Sequence, residues 1–192
     1  FGVHKSPLVW RICVRRALFT AVIYCGTMNK LLLFLVVFML GVGTACAQSE
    51  PKSDKATAPP EKTSMEYMAE GSKYYLKGDY KGAIGPYQKA LDLEKTERKL
   101  KRELWIALID NLGMSYGITG DITKSQDTFK YGISQEPDYP LFYYNMACGY
   151  GELGDEDNAI VWLRDAFKRK DNLLSGEPFP DPMTDSSFAK FR

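Results

Sequence analysis

The chain contains one short turn three times, as Gly78-Asp79-Tyr80, Gly120-Asp121-Ile122 and Gly154-Asp155-Glu156, and Gly120 stands 34 residues before Gly154. That recurrence constrains the fold more than any compositional average. A period near 34 with a Gly-Asp turn in mid-repeat marks paired antiparallel helices stacked in a line, each unit burying its apolar stripe only against its neighbours. A chain of this kind works through a surface rather than an enclosed catalytic pocket.

The repeats align position by position when each turn glycine is counted as the fifteenth residue. The fourth position reads Tyr67, Ile109, Tyr143; the eighth Gly71, Gly113, Ala147; the eleventh Tyr74, Tyr116, Tyr150. In the second helix the twentieth reads Ala83, Ser125, Ala159, the twenty-fourth Tyr87, Phe129, Leu163, and the twenty-seventh Ala90, Gly132, Ala166. Large residues alternate with small ones. Close helix packing needs this, because a Gly or Ala admits the facing backbone and a neighbouring large side chain fills the space beside it.

These positions, repeated with the turn over residues 64–172, resemble the tetratricopeptide repeat family. The resemblance implies an all-α fold: three helix-turn-helix repeats (64–100, 101–138, 139–172) in a short right-handed superhelical solenoid, closed by a C-terminal capping segment (173–192). The sequence departs from the family pattern in lacking Trp at the fourth position and in having the proline after the second helix only once, at Pro137. Ser125 and Gly132 replace the usual Ala, and a Gly inside a helix costs about 1 kcal/mol relative to Ala.

From Gly78 to Gly120 the spacing is 42 residues, and the stretch Glu94 to Glu103 contains neither Gly nor Pro. Eight extra residues are close to two helical turns. The expectation is an elongated helix in the first hairpin or at the start of the second, supported by Glu94/Arg98 and Glu97/Lys101 at i, i+4. Thr63 and Glu66 have the spacing of a capping box, which starts the folded domain there.

The front of the chain is a different material. All 24 acidic residues follow Ala47, whereas 5 of the 25 basic ones precede it, so residues 48–192 carry 20 basic against 24 acidic side chains, a net −4. Met28-Asn29-Lys30, the apolar run Leu31 to Leu40 and Ala45-Cys46-Ala47 have the charged start, short apolar centre and Ala-x-Ala cut site of a secretory signal peptide over 28–47. Residues 1–27 are expected to be an upstream segment, because Met28 can initiate and Phe1 cannot. Gly43-Thr44-Ala45-Cys46 also resembles a bacterial lipoprotein box, which would lipidate Cys46 and anchor the chain to a membrane. Residues 48–63, with Pro51, Pro59 and Pro60 among alternating polar residues, read as a disordered linker. The expected setting is outside the cytoplasm, periplasmic or extracellular.

Several chemistries are excluded by the same reading. Cys13, Cys25 and Cys46 fall in the leader, leaving Cys148 alone in the domain with no internal disulfide. His4 is the sole histidine, so the processed chain lacks the usual general base and the commonest metal ligand. Asp155-Glu156-Asp157 sits at a helix start, where acidic residues complement the dipole, and lacks EF-hand spacing. A negative net charge disfavours nucleic acid. The sequence announces no catalytic residue, cofactor, metal or small-molecule substrate.

What remains is the concave face, which in the family is lined by positions two, five, nine, twelve and thirteen of each first helix. The resemblance places Met65, Met68, Ser72, Tyr75 and Leu76 there in repeat one, Ala107, Asp110, Met114, Gly117 and Ile118 in repeat two, and Leu141, Tyr144, Cys148, Gly151 and Glu152 in repeat three. Met65, Met68, Tyr75, Asp110, Met114, Leu141, Tyr144 and Cys148 are the candidate peptide-binding residues. Met adapts in shape and Tyr presents a flat face with a polar tip, so the stripe suits an apolar peptide or amphipathic helix. With almost no Lys or Arg, it does not fit the family's carboxylate clamp. The implied function is a non-catalytic protein- or peptide-binding adaptor of the bacterial cell envelope; the alternative is self-association as a homodimer through this face. A third occupant is the chain itself: the tail from Glu177 to Phe191 resembles those that end many arrays of the family. Asp185 would cap a last short helix carrying Phe188 and Phe191 on one face, and the tail is expected to cover the exposed side of the last hairpin.

Overall fold

A computed structural model of the chain describes residues 61–192. The leader, Cys46 and the linker up to residue 60 lie outside the described residues. Six α-helices follow: α1 (Ser64–Leu76), α2 (Tyr80–Thr96), α3 (Arg102–Ile118), α4 (Ile122–Gln135), α5 (Pro140–Leu153) and α6 (Glu156–Lys168). A 3-10 turn at Lys170–Asn172 and a closing 3-10 helix at Ser186–Phe191 complete the chain, and there is no strand among the described residues. Each odd-numbered helix pairs with the next to form a hairpin, and α2 with α3 and α4 with α5 join the hairpins in sequence.

The thrice-repeated turn is one structure built three times. Gly78, Gly120 and Gly154 take left-handed φ values of 79°, 92° and 78°, a region open to glycine without steric cost. The amides of Asp79, Asp121 and Asp155 then donate back to the carbonyls of Tyr74, Tyr116 and Tyr150 at 3.0, 2.9 and 3.0 Å, satisfying acceptors that the first helix leaves open. The same aspartates cap the second helix, accepting from the amides of Gly82, Lys124 and Asn158 at 2.9, 3.1 and 3.1 Å. One dipeptide therefore ends one helix and starts the next. At the front of the array the capping box forms, with Thr63 Oγ1 accepting from the Glu66 amide and the Glu66 carboxylate accepting from the Thr63 amide.

Inside each hairpin the large and small residues meet directly. A Cβ added to Gly71 would lie 2.6 Å from the Tyr87 ring, and one added to Gly113 would lie 2.5 Å from the Phe129 ring. In the third repeat the same two positions hold Ala147 and Leu163, a larger small residue matched with a smaller large one. Gly132 also has a packing reason: its Cβ would sit 2.8 Å from Ile109 and 2.9 Å from Phe142. The helix cost of that glycine is the condition for Phe142, fully buried, to reach the second hairpin.

The eight additional residues of the first repeat are divided rather than concentrated in one helix. The 17-residue α2 is three longer than the 14-residue α4, and the 17-residue α3 is three longer than the 14-residue α5. Residues 97–101 between α2 and α3 are not helical, so the expected Glu94/Arg98 and Glu97/Lys101 pairs do not form. Glu94 is instead buried and accepts from the Ser64 hydroxyl and from the amides of Lys99 and Leu100, the latter two at 3.0 Å. A chain reversal leaves amides without helical partners, and a carboxylate one turn back supplies the acceptor. Arg98 and Arg102 reach across to Glu136 after α4, at 2.7 and 2.8 Å. Burial pushes the Glu136 carboxyl up, but the hydrogen bonds and charges of the two arginines outweigh it and hold it below its ordinary value.

Candidate binding groove

The first helices α1, α3 and α5 carry the concave stripe, and its two ends differ. In the first two repeats Met65 and Leu76 are each 48% exposed, and Ser72, Ala107, Asp110 and Ile118 are half-buried. Met68, Tyr75 and Met114 turn into the core. In the third repeat Leu141, Tyr144, Cys148 and Gly151 are all buried. Of the eight residues chosen from the sequence, Met65 is exposed and Asp110 half-buried; the other six are buried.

The polar groups along the stripe are tied to the scaffold. Asp110 accepts from the Asn145 amide at 2.6 Å, joining repeats two and three. Ser72 receives the Tyr87 hydroxyl at 3.1 Å and donates to the Met68 carbonyl. Burial pushes the Tyr87 phenol up to about 12, so it stays a protonated donor at neutral pH. The stripe residues include no cation; their charges are the carboxylates of Asp110 and Glu152.

The third repeat's share of the stripe is covered by the chain's own tail. Tyr144 is central: its ring meets Phe179 and Phe188 edge-on, with centroids 5.8 and 5.9 Å away, and its hydroxyl donates to Asp185 Oδ2 at 2.9 Å. The other carboxylate oxygen of Asp185 caps the closing 3-10 helix by accepting from the Ser187 amide at 2.9 Å, and the Cys148 thiol lies against Oδ2 at 3.9 Å. Gly151 makes this approach feasible, because a Cβ there would meet the Ser187 carbonyl oxygen at 2.5 Å. Glu177 accepts from the Tyr139 hydroxyl, and Lys190 donates to the Glu152 carbonyl at 2.8 Å. The tail thus closes over the concave side of α5. On α6, Ile160, Val161 and Phe167 remain 37%, 50% and 45% exposed.

Sequence reasoning passed over three features. Trp105 and Tyr139 stand one residue before the first position of their repeats, outside the aligned frame, yet both are buried against Phe142 at centroid distances of 6.4 and 4.8 Å. Aromatic residues just ahead of a periodic run were the available signal. Glu94, expected to pair with Arg98 along a continuing helix, is a buried loop anchor. A half-open hollow of about 200 Å³ lies between α2 and α4, where Lys95 and Lys124 rest over the rings of Tyr131 and Tyr116. Among the described residues no group of His, Cys, Asp and Glu is arranged to hold a metal ion.

Residues 141–173 match the tetratricopeptide repeat family, and the two preceding hairpins share the left-handed glycine turn and the helix pairing of that matched repeat. Over 113 residues the chain is 28% identical to the photosystem I assembly protein Ycf3 of Prochlorococcus marinus, covering 55% of this chain and 62% of that relative. The chain therefore spans less than two thirds of the relative's length.

Proposed function

We propose that this tetratricopeptide repeat protein is a non-catalytic adaptor of the bacterial cell envelope, holding a segment of a partner protein against the concave stripe of its first two repeats. The observation that carries the reading is the asymmetry of that stripe: Met65 and Leu76 are each 48% exposed at one end, while the tail closes the other. Large apolar side chains left open on a stripe otherwise committed to packing mark a contact surface, and Met and Leu adapt to an apolar or amphipathic partner. The likeness to a protein named for assembling a complex supports a role in bringing proteins together. The envelope setting rests on the leader-like segment 28–47, and lipidation of Cys46 would add a membrane anchor. The only histidine lies at position 4, which supports a role without acid-base catalysis.

The test is crosslinked capture of the full chain from its native envelope, comparing wild type with Met65→Glu, Leu76→Glu and, as an outer-surface control, Lys130→Glu. Either stripe substitution is expected to lose the partner while Lys130→Glu keeps it. Equal capture by all four proteins would remove the stripe from the account.

A further inference from the structure

From the tail's seat on α5 we infer that residues 177–191 are a releasable latch, occupying in cis a docking site for a partner segment that carries a carboxylate three residues before a Phe. The inference rests on the adaptor reading and adds a second site to it.

The seat has the parts of a peptide site. Tyr144 supplies a hydroxyl to the Asp185 carboxylate and a ring face to Phe188. Gly151 lets a main-chain carbonyl approach where any side chain would block it. These contacts specify an acidic side chain, two spacer residues and an aromatic ring, the two anchors separated by one turn of 3-10 helix. The specificity lies in side chains on α5, a rigid element, and the occupant is a segment joined to α6 by a short hinge.

Two observations argue for a latch rather than a fixed part of the core. The hinge is mixed: Lys170, Asp171, Asn172, Ser175 and Gly176 are exposed and Gly176 sits at φ 82°, while Leu173 and Leu174 rest half-buried on the core and Phe179 meets Phe167 of α6 at 4.9 Å, so release gives up those contacts but unwinds none of the six helices. The Ser187 hydroxyl is buried without a hydrogen-bond partner, a penalty that release of the tail removes. A short tether holds its end at an effective concentration of about 1 mM. A free segment that binds the bare seat with a Kd of about 10 μM would therefore bind the latched chain roughly 100-fold more weakly.

The experiment uses a fluorescent peptide with the sequence of residues 177–192, titrated with the full chain and with the full-length double variant Asp185→Ala/Phe188→Ala, whose seat is intact. The double variant is expected to bind the peptide at least about 10-fold more tightly than wild type. Adding Tyr144→Phe should weaken that binding about fivefold or more, and a peptide lacking the Asp and Phe should not bind. A folded double variant that ignores the peptide at 1 mM, or binds it no better than wild type, overturns the inference. So does a wild-type dimer that dissociates on the double substitution, since the seat would then belong to a second copy's tail. If the variant does not fold, amide exchange of the wild type decides. Amides of 185–191 exchanging at least about 10-fold faster than those buried in α5 support release; exchange of both only by global unfolding excludes it. Loss of peptide binding with partner capture still sensitive to Met65→Glu and Leu76→Glu would overturn the latch and leave the adaptor reading standing.

Discussion

Replacing Gly113 by Ala should destabilise the protein even though Ala is the better helix former. On a free helix surface the change would gain about 1 kcal/mol. Here the new Cβ would stand 2.5, 2.7 and 2.9 Å from three atoms of the Phe129 ring, which is itself completely buried. Contacts that short require the ring or the helix to move, and overpacking of this kind costs about 1–3 kcal/mol. A net loss of up to about 2 kcal/mol is expected, lowering the melting temperature by up to roughly 8 °C for a domain of this size. Phe129→Leu alone leaves a space beside Gly113 and should cost about 1–2 kcal/mol. The double variant Gly113→Ala/Phe129→Leu reproduces the Ala147 and Leu163 pair of the third repeat. It should be less destabilised than the sum of the singles by at least about 1 kcal/mol. Urea unfolding followed by circular dichroism at 222 nm gives the four free energies, with a common m value showing that one transition is being compared. A more stable Gly113→Ala, or strict additivity, would refute direct pairing of positions eight and twenty-four.

The lowered Glu136 carboxyl sets a pH dependence. A depressed folded pKa contributes stability above the ordinary value of 4.5 and loses it as pH falls through the folded value; Glu136→Gln should therefore be less stable than wild type by about 1 kcal/mol at pH 7. That gap should narrow as pH falls below 4.5 through the lowered folded value in acid-unfolding curves, and a gap that does not change with acidification would contradict the assignment. Glu94→Ala removes the acceptor for two loop amides and a buried hydroxyl and should cost about 2–3 kcal/mol, read by thermal melting; a change under about 0.5 kcal/mol would mean that the loop holds itself. For the leader, mass spectrometry of the mature protein should find a first residue of Gln48, and a lipid-modified Cys46 would replace secretion by anchoring.

The parts of the fold that depend on neighbours in sequence were legible in it. The Gly-Asp turn could be read because one glycine conformation and one aspartate cap act within a few residues, and the capping box at Thr63 and Glu66 is equally local. The pairing of Gly113 with Phe129 was visible as alternation, although only the structure shows the ring lying in the glycine's own space. Glu94 was misread because i, i+4 pairing assumes that a helix continues. Here α2 stops at Thr96, Leu100 is buried, and the carboxylate serves the reversal between them. The groove was legible as a set of positions, and the tail as a candidate cover for it, but not which stretch of the stripe the tail would close. Its third-repeat end is decided by contacts such as that of Tyr144 with Asp185, 41 residues apart, and helical periodicity carries no information on where a proline-rich tail travels.

The central claim is that the concave stripe of repeats one and two, open at Met65 and Leu76 of repeat one, is where this protein meets its partner. Site-specific photocrosslinking tests it most directly, with a photoreactive residue placed in the full chain at Met65, Leu76 or Ile118, and at the outer positions Asp127 or Lys130 for comparison. The account predicts one protein partner crosslinked from 65, 76 and 118 and absent from 127 and 130. Crosslinks from the outer positions alone would contradict it.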